Sequence, residues 1–257
     1  MSGVSDVNRG SGREAGIFKK GSTATKVSSD LFFTQMKWAI WFVGIVFVVY
    51  LVVPRFVTDV ASLHLHFLAF IFQPTKIFML VIGILSCFAF LGYFVGNGIT
   101  RKDYFIGSAV AAIGVALCIM ALASALQGVL HFVGIFTAYV PNTGHGDILG
   151  VESAWLVPFV VYSLSVVAYY VAGWLISIGF YRYGGFGGAI TIISAIIYVG
   201  MTDMSWEGER SFHLFGFIRF SSPELPLPLA LVTTVVLLVI GLWVLRRLTK
   251  RVPIKID

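Results

Sequence analysis

Apolar residues in this chain occur in long continuous runs, without the regular polar positions of a water-soluble helix or strand. Six runs meet or approach the roughly 20 residues that a helix needs to cross a bilayer. They cover residues 38–53, 77–96, 105–140, 155–180, 188–201 and 227–244. Turn signals separate the runs, including Pro54 and the Gly96-Asn97-Gly98 sequence. The pattern therefore predicts an all-α membrane protein with six transmembrane helices.

The composition agrees with lipid as the main solvent of the chain. Of the 257 residues, 58% are hydrophobic and 12% are charged, whereas soluble domains carry about 25% charged residues. This number of charged side chains cannot cover the surface of a water-soluble domain of this length. The composition therefore excludes a water-soluble globular protein.

The polar segments define the domain organisation. Residues 1–29 are rich in Ser, Gly, Lys and Arg and are predicted to form a disordered cytoplasmic tail. Residues 31–37 predict a short interfacial elbow helix before the first span. The transmembrane domain covers residues 30–248, and residues 249–257 form a short C-terminal tail. The first strong apolar run begins near Trp38, too late for a cleaved signal peptide.

The basic residues predict the orientation of the spans. Fourteen of the 18 Lys and Arg residues fall on the side that holds both termini, and four fall on the other: Arg55, Lys76, Arg210 and Arg219. Since short cytoplasmic loops carry the excess of Lys and Arg, both termini are expected in the cytoplasm. The anionic inner leaflet then accounts for the net charge of +6, and no nucleic-acid partner is expected.

Ionisable residues are scarce inside the six runs, and this limits the possible functions. Apart from Arg55, at the end of the first span, their central stretches contain none, and Lys76 and Asp203 are assigned to outer loops. Ion-coupled carriers and membrane enzymes need such groups in the bundle, so we expect no catalytic residue. His64 and His66 lie in an outer loop, and no metal site is expected. No Gly-Lys pair occurs, which excludes a Walker A loop in this chain.

Small residues recur at four-residue spacing in the second and third runs. Such patterns let helix backbones approach closely in lipid, so we expect the two spans to pack together there, or alternatively to form a subunit interface. The predicted packing positions are Gly92, Gly96, Gly107, Ala111, Ala112 and Ala116. The glycines of residues 184–188 predict a tight inner turn between spans four and five.

A polar sequence, Asn97-Gly98-Ile99-Thr100-Arg101-Lys102-Asp103-Tyr104-Phe105, joins the second and third runs. Thr100 and Asp103 have the spacing of a helix-capping pair, with an acid in the place of the usual Glu. The residues alone leave two interpretations open. The segment is either a capped positive-inside loop or a docking site for a soluble partner.

The polar sequence resembles the first intracellular loop of ABC type-2 exporter permeases, and the six-span plan with an elbow helix is also similar. The resemblance implies a bacterial plasma-membrane permease that binds a separate ABC ATPase subunit, which would carry the ATP and Mg²⁺. It implies that this chain contacts the ATPase through Thr100, Arg101, Lys102, Asp103 and Tyr104. It also implies a second permease subunit, identical or a sibling, and no cofactor on this chain.

The abundance of Phe and the uncharged spans suit a hydrophobic or amphipathic cargo, such as a peptide or a lipid-like drug. Two other classes of function remain open. One is a non-transporting immunity or sensor protein, which would act without an ATPase partner. The other is a membrane enzyme, for which the sequence shows no catalytic cluster.

Overall fold

The computed structural model describes residues 11–53, 56, 67–136, 156–207 and 225–250, and within these ranges every long element is a helix. Five helices are long and apolar enough to cross a membrane, as expected of a multi-pass membrane protein. They are α1 (Ser11–Val52), α2 (Phe67–Gly96), α3 (Arg101–Phe136), α4 (Leu156–Glu207) and α5 (Leu227–Thr249).

Helix α1 differs from the prediction of a disordered tail and a separate elbow. It is one uninterrupted helix from Ser11, so residues 11–29 are helical and residues 31–37 continue directly into the apolar part. Packing stabilises the helix around residues 27–31, because Val27 and Leu31 are buried and Val27 lies against Gly107 of α3. Residues 1–10 lie outside the described part of the chain.

Helix α2 begins ten residues earlier than the predicted second span. Residues 67–76, which the sequence analysis assigns to an outer loop, form its first turns. The amide of Phe67 donates to Gln127 Oε1 of α3 at 2.7 Å, which satisfies one of the free N–H groups at the helix start. Pro74 lies inside the helix, and Thr75 Oγ1 donates to the Ile71 carbonyl at 2.7 Å beside it.

The C-terminal half of α2 contains a π-helical segment. Residues Ser86–Leu91 adopt the wider turn, and Gly92–Gly96 return to α-helix before the chain leaves it at Asn97. Such segments are uncommon and occur often at functional sites. The Tyr104 hydroxyl of α3 donates to the Ser86 carbonyl at the start of this segment.

Helix α4 spans 52 residues, but Gly184 interrupts it with φ 71° and ψ −159°. This backbone conformation is essentially restricted to glycine. The arms of residues 156–183 and 185–207 fold back on each other. Two hydrogen bonds between them show this: Thr191 Oγ1 lies 3.4 Å from the Ile176 carbonyl, and Tyr169 Oη lies 2.5 Å from Asp203 Oδ2. The predicted turn of residues 184–188 thus lies where the helix reverses.

Two glycines bring α2 and the first arm of α4 into backbone contact. A Cβ atom added to Gly83 would lie 2.2 Å from the Tyr170 carbonyl oxygen, and one added to Gly173 would lie 2.0 Å from that of Leu80. Neither distance leaves room for a side chain. In lipid, close backbone approach of this kind is a main source of helix association.

The small residues that the sequence analysis selected are placed differently. Gly107 packs against Val27 of α1, and Gly114 nearby packs against Phe32 of the same helix, so this part of α3 also meets α1. Ala111, Ala112 and Ala116 are buried in the core. A Cβ added at Gly92 or Gly96 would meet no atom within 4 Å, so these two glycines pack against none of the helices that the structure describes.

Replacing Gly173 with Ala should destabilise the fold, because the added methyl group meets the Leu80 backbone. Overpacking of this kind costs about 1–3 kcal/mol. Thermal unfolding in detergent micelles, followed by tryptophan fluorescence, measures the effect. The matched control is Gly92→Ala, where the methyl group meets open space and helix propensity favours Ala. Equal melting temperatures for the two variants would contradict the close backbone contact of α2 and α4 at Gly173.

Candidate functional site

One end of the bundle brings together three segments that are distant in sequence. The turn after α2, the reversal at Gly184 and the end of α5 all lie there. Arg101 Nη1 donates to the Lys250 carbonyl at 3.4 Å, and Arg182 Nη1 donates to that of Leu248 at 3.2 Å. The Arg246 guanidinium stacks 5.4 Å from the centre of the Phe105 ring. We call this region the basic end; its basic residues are Arg101, Lys102, Arg182, Arg246, Arg247 and Lys250.

The turn between α2 and α3 is short and internally bonded. Asn97 Nδ2 donates to the Tyr93 carbonyl at 2.7 Å, and Gly98 has a φ of 83°, in the left-handed region. Thr100 Oγ1 accepts from the Asp103 amide at 3.1 Å and donates to Asp103 Oδ2 at 2.7 Å. The first bond is the N-cap bond that the spacing predicts, whereas Asp103 bonds to the Thr100 hydroxyl and not to the Thr100 amide. The arrangement places an acid at the positive end of α3.

The five residues predicted to contact an ATPase do not all reach the surface. Thr100 and Lys102 are exposed and Arg101 is half-buried. Asp103 is buried by its role in the cap, and Tyr104 points into the bundle, where its hydroxyl bonds to Ser86. Tyr104 therefore does not belong to the exposed surface of the basic end, and it links that surface to the core.

A second site is an ion pair buried between α2 and the second arm of α4. Lys76 Nζ lies 3.0 Å from Asp203 Oδ1, and the two side chains are only 3% and 10% exposed. The ammonium group also lies 4.5 Å from the centre of the Phe72 ring and 5.2 Å from that of Tyr169. Tyr169 Oη donates to the other carboxylate oxygen of Asp203. Each charge is thus compensated in a site that excludes water.

The prediction that both residues lie in outer loops was wrong, and the pair itself was not predicted. Lys76 precedes the predicted second span by one residue, and Asp203 follows the predicted fifth by two. Both spans extend beyond their predicted ends in the structure, which draws the charges into helices. The available signal was the opposite charge of two residues that flank spans on the same side of the predicted topology.

A third site is an uncharged polar cluster beside the π-helical segment. Tyr170 Oη of α4 lies 2.5 Å from Ser86 Oγ of α2 and 2.7 Å from Ser108 Oγ of α3. Gln35 of α1 is fully buried next to Tyr170. The Trp174 ring packs edge-on against Tyr170, with ring centres 6.0 Å apart. Four helices thus contribute polar side chains to one buried region, which the uncharged sequence pattern did not reveal.

The described part of the chain contains no group of three His, Cys, Asp or Glu residues that could hold a metal ion. His64 and His66, the pair considered as metal ligands, lie outside the described residues. Cys87 and Cys118 are free thiols, the first buried and the second half-buried. They form no disulfide.

Comparison of the chain with family models, curated proteins and solved structures gave no match. The functional assignment therefore depends on the chain's own sequence pattern and geometry.

Replacing Lys76 with Met should destabilise the protein, because it leaves the Asp203 carboxylate buried without its counter-charge. Removing one partner of a buried pair costs about 3–5 kcal/mol. The double variant Lys76→Met/Asp203→Asn should recover most of this loss, since Asn still accepts the Tyr169 hydrogen bond. Melting temperatures in micelles test both statements. A single variant as stable as the unaltered protein would show that the pair does not bear on folding.

Proposed function

We propose that the chain is the transmembrane permease subunit of an ABC exporter and couples to a separate ATPase subunit. The observation that carries the proposal is the internally bonded turn of residues 97–103. It exposes Thr100 and Lys102 at the basic end, while Tyr104, in the first turn of α3, bonds to the core. A force applied to this turn by a partner would reach the centre of the bundle directly.

The bonded geometry of the turn supports this role. A flexible loop would absorb a push from a partner, whereas the Asn97 and Thr100 hydrogen bonds hold this turn to the ends of α2 and α3. Asp103 neutralises part of the local positive charge, and Arg101 and Lys102 offer basic groups to an acidic partner surface. The resemblance to the first intracellular loop of ABC type-2 permeases concerns the same residues.

The proposed topology has six spans, with both termini in the cytoplasm. The two arms of α4 count as separate spans, because they are antiparallel. Each arm, residues 156–183 and 185–207, is long enough to cross a bilayer. The basic end then faces the cytoplasm, in agreement with the excess of Lys and Arg in short inner loops. A bacterial plasma membrane fits this arrangement.

In this proposal ATP and Mg²⁺ bind to the partner ATPase, and a second permease subunit completes the path. ATP-driven closure of the ATPase pair would favour one packing of the helices over another, which is how a ligand shifts a conformational equilibrium. The cargo would be hydrophobic or amphipathic. The alternative is a non-transporting immunity or sensor protein, which needs no ATPase.

Cysteine labelling tests the topology. In a Cys87→Ala/Cys118→Ala background, Asn97→Cys and Gly185→Cys should both react with a membrane-impermeant maleimide from the cytoplasmic side only. Leu225→Cys, beside the start of α5, should react from the opposite side and serves as the control. Reaction of positions 97 and 185 from opposite sides would rule out the six-span arrangement.

Charge reversal tests the docking role. The double variant Arg101→Glu/Lys102→Glu should insert and fold normally but recover much less ATPase when the tagged chain is purified in mild detergent. Arg247→Glu/Lys250→Glu is the matched control, because it makes the same change in charge at the same end but outside the turn. Mass spectrometry of the co-purified proteins provides the readout.

The outcomes of this purification separate the two functions. An ATPase with a Walker A loop that is lost only in the Arg101/Lys102 variant supports the permease. Undiminished ATPase recovery with that variant contradicts the docking role of the turn. Purification of the unaltered chain without any ATPase, even after cross-linking, would favour the immunity or sensor function.

A further inference from the structure

The polar cluster beside the π-helical segment contains polar atoms that the protein itself leaves unpaired. Gln35 is fully buried, and neither its Nε2 nor its Oε1 has a hydrogen-bond partner among the described residues. The indole Nε1 of Trp174, also fully buried, has none either. Both side chains adjoin Tyr170. The Gln35 amide thus offers two donors and an acceptor beside the Tyr170 hydroxyl.

The Tyr170 hydroxyl by itself cannot satisfy the whole Gln35 amide. A tyrosine hydroxyl has one hydrogen to donate and limited capacity to accept, and that of Tyr170 already lies within hydrogen-bond distance of Ser86 Oγ and Ser108 Oγ. A shift of Gln35 toward it would add one bond at most. The Gln35 amide offers two N–H donors and a carbonyl acceptor, so it would still lack partners.

Unpaired amide and indole groups are strongly unfavourable in a membrane interior, where no bulk water is available to them. Buried groups of this kind are normally completed by an ordered water molecule, which both donates and accepts. The π-helical turn starting at Ser86 lies at the same place, and such turns recur at functional sites.

We propose that an ordered water molecule occupies this cluster and completes the hydrogen bonds of the Gln35 amide. Gln35 supplies the two donors and the acceptor of its amide. The water would bond to Gln35 of α1, next to the bonds by which Tyr170 of α4 joins α2 and α3. The site requires no ATPase and is independent of the permease assignment.

Radiolytic hydroxyl labelling of the full chain in lipid nanodiscs tests the site, since a radical formed from a bound water marks the aromatic ring beside it. Tyr170 and Trp174 should be labelled severalfold faster than equally buried aromatic residues that have no water beside them. Tyr50, which is buried away from the cluster and packs against Phe67, provides the reference for a buried tyrosine. In water enriched in ¹⁸O, the incorporated oxygen should carry the heavy isotope.

Gln35→Met is the matched variant, because methionine has the length of glutamine without its amide. It should fold and should lower the labelling of Tyr170 and Trp174 severalfold, while leaving Tyr50 unchanged. Labelling of Tyr170 no faster than Tyr50 in the unaltered protein would overturn the proposal. So would labelling that is equal with and without the Gln35 amide.

The melting temperature provides a second measurement with a defined sign. If the amide were unpaired in a dry core, Gln35→Met would raise the melting temperature, because it removes an unsatisfied buried group. If water completes the site, the variant should be neutral or less stable, since the amide's hydrogen bonds are lost. A clear increase in the melting temperature would contradict the hydrated site.

Discussion

The close approach of α2 and α4 at Gly83 and Gly173 is the contact on which both buried polar sites depend. Lipid gives helices no hydrophobic reason to associate, so backbone proximity and polar contacts must hold them together. The crossing places Tyr170 against α2, where it joins the uncharged cluster. The preceding residue, Tyr169, points about 100° away around the helix and reaches the Lys76–Asp203 pair. One crossing point therefore positions both buried polar sites.

Much of the helical architecture could be predicted from the sequence, because long apolar runs have few alternatives in a membrane. The predicted start of the last span, Leu227, and the end of the second, Gly96, agree with helix bounds in the structure. The capping role of Thr100 and Asp103 was also predictable, since it depends on residues three apart. Local signals of this kind need no knowledge of neighbouring helices.

The remaining features depend on which helices are neighbours, and hydropathy carries no such information. Gly107 fits the predicted small-residue pattern, yet its partner is Val27 of α1, in a segment too polar to be read as helix. Lys76 appears as a loop residue until Asp203 is placed beside it. Gln35 looks like an interfacial residue, although the bundle buries it completely. Tertiary contacts decide the environment of all three.

The backbone conformation at Gly184 has a consequence for how the chain inserts. Without that reversal, 52 helical residues would extend about 78 Å, far more than the hydrocarbon core of a bilayer. In the proposed topology the reversal adds one crossing and so returns the start of α5 to the same side as the start of α4. The parity of the crossings, and hence the compartment in which the C-terminus lies, thus depends on one residue without a side chain.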